Sequence, residues 1–241
     1  MKVNKFFLFA LIAIATSLMF ISCDDTADGY HNNYVVNAVV TIKPINNGEG
    51  FNIWVSDKVQ GQATNLVKSP YGNKEVRALA NIRDEGKAAN GMQKIYVNWL
   101  DSIRTKQTVS SVGEKEDIKK YGDDPLEIVK DFTTVVEDGY LTLRFQTVWG
   151  NLNTKHELNL ITGVSKDDPY KLVLRHNAKG DVTGRRGDGI IAFRLREIDK
   201  IAKEKGKKEV PLQLYWKSFN GAKHITFTYH TRDDKSYIVD K

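Results

Sequence analysis

The sequence predicts an all-β protein, a small barrel followed by a β-sandwich, delivered by an N-terminal export signal. Three observations predict it. Residues 6–21 are almost wholly apolar behind Lys2 and Lys5 and lead directly to Cys23, the single cysteine of the 241-residue chain. After a polar stretch come several short runs rich in β-branched and aromatic residues, separated by Gly-containing turns. Near the end, Asn220-Gly221 joins two long segments of alternating hydrophobicity.

The apolar run is too short for a comfortable bilayer span, and its charge layout is that of a cleavable signal. A cysteine just past such a run, with the small Ser22 before it, fits a lipobox, in which the thiol is acylated and becomes the mature N-terminus. Phe20 departs from the usual Leu. The expected organisation is a signal peptide over 1–22, a tether over 23–33, a barrel over 34–120 and a sandwich over 125–241. One cysteine excludes disulfides within the chain, thiolate zinc sites and a Cys nucleophile. The formal charge is +6, with Lys2 and Lys5 leaving on the signal, and acids and bases are interspersed everywhere except 200–208. No nucleic-acid partner is expected from that pattern.

Strand signals begin at Tyr34. Residues 35–42 are rich in β-branched residues and stop at Lys43-Pro44 before the turn Asn46-Asn47-Gly48. Phe51, Ile53 and Val55 then alternate with Asn52, Trp54 and Ser56, which puts Trp54 on the second face of a half-buried strand. Residues 76–82 and 92–100 supply further strands. Gly113, the charge run 114–117 and Gly122-Asp123-Asp124-Pro125 interrupt the pattern, with a short helical turn expected over 116–121. The inter-domain boundary is expected between 117 and 135, with both halves folding separately.

The second half reads as β more strongly. Asp138-Gly139 is a turn, followed by alternation from Leu141 to Thr147. Residues 156–161, 170–175 and 189–195 add strands, and 197–205 reads as a helix with Ile198, Ile201 and Ala202 on one face. A two-residue turn at Asn220-Gly221 places Trp216 opposite Ile225, Leu214 opposite Phe227 and Leu212 opposite Tyr229, all on one face. The expected architecture is an immunoglobulin-like β-sandwich.

The chemistry-bearing residues form no recognised catalytic pattern. The chain contains no G-x-S-x-G, H-E-x-x-H, phosphate-binding or dinucleotide-binding motif. His224 and His230 are separated by about 20 Å of strand, too far for one metal. No catalytic set, metal site or cofactor is expected, and the five histidines are not expected to form a shared catalytic or metal set. His176, Asn177 and Asp181 share a loop, residues 175–181, that could bind a ligand or hold itself in shape. Among the tryptophans, Trp216 belongs to the core. Trp54 and Trp149 are the better exposed candidates for a carbohydrate platform, ahead of Trp99. Arg186-Gly187-Asp188 spells an adhesion tripeptide in an expected Gly-rich loop, but three-residue matches arise by chance and Gly-Asp-Gly is ordinary turn chemistry.

Cys23-Asp24-Asp25 with Gly29-Tyr30, the string from Asp138 to Gln146 and the string from Leu174 to Asp181 together resemble the NigD-like lipoproteins. The resemblance spans essentially the whole mature chain and implies an N-terminal OB-like barrel and a C-terminal β-sandwich. It also implies a lipid anchor in the outer membrane, on the cell surface or the periplasmic face, with Asp24-Asp25 as a short acidic display signal. It implies no established activity. The expected function is a non-enzymatic binding or interaction module for a glycan or an envelope protein. The alternatives are a glycan-active envelope enzyme and a bacteriocin-associated accessory or immunity factor.

Each buried acyl CH₂ contributes about 0.8 kcal/mol to membrane attachment, so two or three chains on Cys23 would hold the body firmly. Cys23→Ala is expected to abolish metabolic fatty-acid labelling, and unchanged labelling would remove the lipobox assignment.

Overall fold

The structure, a computed structural model, describes residues 35–232. Cys23, the signal and the tether lie outside that range. Five strands form the barrel: β1 (Val35–Ile45), β2 (Gly50–Trp54), β3 (Gln60–Ala63), β4 (Val76–Lys87) and β5 (Gln93–Ser102). They close in the order β1-β2-β3-β5-β4, antiparallel except for β3 beside β5, which is the OB-type arrangement. Alternation fills the interior with Val40, Ile42, Phe51, Ile53, Ala78, Ala80, Ile82, Ile95 and Val97. The first strand runs past the expected stop at Lys43-Pro44. Pro44 pairs with Phe51 on β2, beyond the last β4 pair at Ile42, so its missing N–H removes nothing from the β1–β4 ladder.

The sandwich has two five-stranded sheets. One holds β6 (Thr105–Gln107), β8 (Glu127–Val129), β9 (Val135–Glu137), β10 (Tyr140–Trp149) and β13 (Arg185–Arg194). The other holds β7 (Val109–Ser110), β11 (Glu157–Thr162), β12 (Lys171–Asn177), β14 (Glu209–Ser218) and β15 (Gly221–His230). Their facing sides pack Leu141, Leu143 and Phe145 with Leu158, Leu160, Leu172, Leu174, Leu212, Leu214 and Trp216. Two helices accompany them, α1 (Glu114–Tyr121) and α2 (Arg196–Glu204). Ile198 and Ala202 of α2 join the core, as the helical pattern predicts.

Three expectations need correction. The seam lies earlier than 120–125, because β6 already pairs with β13 and β7 with β11, so residues 105–121 belong with the sandwich. The last hairpin pairs Leu214 with Ile225, Leu212 with Phe227 and Val210 with Tyr229, two residues away from the expected register. Its loop is Phe219-Asn220, with positive φ confined to the following Gly221 at 100°. A shift of two preserves the face of every side chain, so Trp216 is still buried at 5% exposure. Finally, Arg186-Gly187-Asp188 lies inside β13, and Arg144 and Gln146 hydrogen-bond the Asp188 carboxylate.

The barrel packs on the outer face of the β10 sheet, which explains why Tyr140, Leu141, Thr142 and Leu143 are buried in succession. The contact joins a small apolar cluster around Val39, Tyr140 and Ala192 to a buried polar layer. Glu75, at the foot of β4, accepts from Arg232 Nη1 and Nη2 at 2.8 and 2.7 Å and from the Tyr140 hydroxyl at 2.6 Å. Arg194 donates to the Glu75 carbonyl at 3.2 Å, and Lys43 Nζ lies 2.6 Å from Asp138 Oδ1. Arg77, fully buried on β4, donates to Thr41 and to Thr142 across the seam. Burial alone pushes the Glu75 carboxyl up. The hydrogen bonds and charge of Arg232 outweigh it, with Tyr140 and Lys43, and hold the group below the ordinary carboxylate range.

Removing one partner of such a pair strands the other as a buried charge, at a cost of about 3–5 kcal/mol. Glu75→Gln should lower the urea midpoint accordingly, and adding Arg232→Met should recover part of the loss. A single variant as stable as the wild type would show that the pair does not join the two halves.

Candidate functional site

Three of the sequence candidates, Trp149, His176 and Asp181, do converge, through a histidine that the pattern did not single out. His156, just ahead of β11, lies 3.0 Å from His176 through Nδ1 and Nε2, and 3.2 Å from Asp181 Oδ2 through its own Nε2. Trp149 at the end of β10 stacks on the His156 ring, with centroids 5.3 Å apart. Gly187 of β13 lies beneath that indole, where a Cβ would come within 2.9 Å of it. Two of the five histidines therefore lie in one hydrogen-bonded unit.

That unit is closed. His176 is 2% exposed, and the His156 and Asp181 side chains are 3% and 7% exposed. Asp181 also accepts the amides of Gly150 and Asn151. Burial works to raise its carboxyl, but those amides and His156 prevail and hold it low. Asn177 closes its own turn by accepting the Lys179 amide at 2.8 Å, with Lys179 and Gly180 at positive φ. The cluster pins the 150–156 loop to the 178–181 turn. Among the described residues no group of three His, Cys, Asp or Glu is placed to hold a metal ion.

Trp54 is also engaged elsewhere. Lys43 Nζ lies 3.9 Å from its ring centroid, so the indole covers the Lys43–Asp138 pair at the seam. The two tryptophans favoured by sequence are thus committed to packing, and the exposed one is Trp99, at 43%. Strict alternation from Ile95 and Val97 would point Trp99 into the barrel. Instead Asn81 pairs with Trp99 while the next residue, Ile82, pairs with Val97, so Asn98 is the extra residue of a β-bulge. Both Asn98 and Trp99 consequently face outward and Leu100 turns back in.

The outer face of β1, β4 and β5 is a short grid. Val35, Arg83 and Tyr96 form one row, then Asn37, Asn81 and Trp99, then Val39, Leu79 and Asp101. The third row runs under the sandwich, where Val39 packs with Ile103, Tyr140 and Ala192. Beside it opens a groove of about 570 Å³ at the seam, lined by Leu79, Asp101, Arg104, Arg144, Asp188 and Ile190 among others. The middle row stays open. Asn98 Nδ2 donates to Asn81 Oδ1, and Asn81 Nδ2 donates to Asn37 Oδ1, each at 2.7 Å.

A family model described as the NigD-like C-terminal beta sandwich domain matches residues 89–229. The chain belongs to the NigD-like family. Its match begins ahead of β5, so it takes in Trp99 as well as the sandwich. Among solved structures, this NigD-like chain is similar to a provisionally named toxin-related protein from Parabacteroides distasonis. That pair is 27% identical with a TM-score of 0.64, covering 84% of this chain and 96% of the other. A NigD-like immunity protein from Bacteroides caccae is 16% identical, with a TM-score of 0.57 over 83% and 99% of the two chains. A provisionally named lipoprotein from Bacteroides fragilis is 13% identical, with a TM-score of 0.54 over 83% and 100%. The last two share the fold alone. No curated protein matches the chain.

Buried His176 is expected to make the stability of this NigD-like protein depend on pH. Burial, reinforced by His156, holds the His176 imidazole below its ordinary pKa. The unfolded chain protonates near pH 6.5, and the folded one resists until lower pH. Stability present above that pH is therefore lost as pH falls toward the lowered folded value. The melting temperature should drop between about pH 7.5 and about pH 5.5, and His176→Gln should flatten the drop. An identical slope in the variant would place the titration elsewhere.

Proposed function

We propose that this chain is a lipid-anchored envelope protein that binds rather than catalyses, and that it presents the outer barrel face around Trp99 to its ligand. The observation carrying the reading is the contrast between two clusters. The Asp181–His156–His176 chain, the grouping best suited to proton transfer, is shut away and spends its hydrogen bonds on loop geometry. Trp99 and its amide neighbours are turned out to solvent by a bulge, a device often found where a strand must re-aim side chains at a site. Anchoring rests on Cys23, with support from the fold shared with the B. fragilis lipoprotein. Among the described residues no helix is long and apolar enough to cross a membrane. The immunity reading draws on the name of the B. caccae neighbour, which at 16% identity lends its fold and no specific contact.

A photoreactive group placed at position 99 in intact cells should cross-link one envelope component, while the same group at the fully exposed Leu152 should not. Equal labelling from both positions would sink the assignment of this face. Turnover of an ester, peptide or glycoside substrate that disappears in a folded His176→Ala variant would move the chain into the enzyme class.

A further inference from the structure

The three amides beside Trp99 are hydrogen-bonded to one another. They form a directed relay, Asn98 to Asn81 to Asn37, in which each link uses one N–H and one carbonyl oxygen. A side-chain amide offers two donor hydrogens and a carbonyl acceptor. The relay therefore leaves Asn37 Nδ2 as a donor at one end and Asn98 Oδ1 as an acceptor at the other, neither of which bonds to another described residue. Flipping all three amides exchanges the two ends and keeps one of each. Hydrogen-bonded chains polarise their members, which strengthens both terminal groups. The row crosses three strands, so its ends lie about 10 Å apart at the usual strand spacing.

We propose that this row is a binding site for a neutral glycan, with one sugar ring stacked on the exposed face of Trp99 and the hydroxyls of that ring and its neighbour paired with the relay. The proposal rests on the binding reading above and names its ligand class. Charge complementarity selects the class. Asn37, Asn81, Asn98 and Trp99 carry no charge, and Arg83 in the adjoining row is occupied by Glu85 at 2.8 Å and by the Tyr96 ring. A hydroxyl both donates and accepts, so a polyol can satisfy the donor end and the acceptor end together, where a phosphate or carboxylate satisfies only donors. The flat apolar side of a sugar ring matches an indole, giving one apolar anchor with a few convergent polar groups. The same face continues to Asp101, about 7 Å from Trp99 along the strand. There the seam groove offers the Asp101 carboxylate and the Arg104 guanidinium to further hydroxyls of a longer chain.

The test uses the full chain purified in detergent and titrated with soluble glucose, mannose and galactose polymers and with chitin oligosaccharides. The wild type should bind at least one of them. Trp99→Ala should weaken that binding by about 30-fold or more, as for a central aromatic anchor. Asn81→Leu, which cuts the relay in its middle, should weaken it about 10-fold. Phe132→Ala, which removes an exposed apolar side chain elsewhere, should leave it unchanged. Circular dichroism and melting curves on each variant separate lost binding from lost fold. Glycan binding that survives Trp99→Ala overturns the site. No glycan binding, with cross-linking of a protein through position 99, overturns the ligand class and leaves the binding reading standing. Neither glycan binding nor cross-linking overturns both.

Discussion

The carboxylate of Glu75 has no solvent to turn to, and the arrangement of both halves follows from how it is neutralised. Arg232 and Tyr140 reach it from the sandwich, Arg194 fastens the adjacent backbone, and the parallel pair Lys43–Asp138 repeats the same logic a strand away. The barrel contributes one acid and one base, Glu75 and Lys43, and each meets the opposite charge on the sandwich side. An apolar seam would tolerate sliding, because burial is non-directional. A bidentate guanidinium–carboxylate contact tolerates none. The seam groove keeps its shape because this layer fixes where the barrel meets the β10 sheet, and Trp54 lends its ring to the same layer.

The periodicity that made the fold legible also hid the candidate site. Residues alternating at Phe51 and Ile53, at Leu141, Leu143 and Phe145, and at Leu212, Leu214 and Trp216 were assignable to core faces because each strand keeps step with its neighbour. At Asn98 the chain falls out of step, and any strict count sends Trp99 inward. A signal was present, since Asn is disfavoured in the middle of a run such as Tyr96-Val97-Asn98-Trp99 and often marks irregularity there. Only the pairing partner on β4, however, shows that the irregularity is an inserted residue.

Two turns of nearly identical chemistry make a related point. Asp138-Gly139 has positive φ at both residues, 49° and 80°, and joins β9 to β10 in the two-residue form that its sequence predicts. Asn220-Gly221 carries positive φ only at Gly221, and its hairpin closes one position earlier. The dipeptide determines where a chain can reverse, and the strands beyond decide which reversal is used. His156 escaped notice for a simpler reason. Its partners His176 and Asp181 lie 20 and 25 residues away, and nothing local announces that two loops will meet.

Arg232 follows Glu75 by 157 residues. A chain emerging from a ribosome therefore presents the whole barrel sequence long before the guanidinium that neutralises its buried carboxylate. Until Arg232 arrives, the early segment carries a charge it cannot bury, and water competes for it on equal terms. The partner of Glu75 thus lies just past β15, at the far end of the described chain. The compact arrangement of both halves therefore becomes favourable only once the distal end of the chain is available to supply that charge.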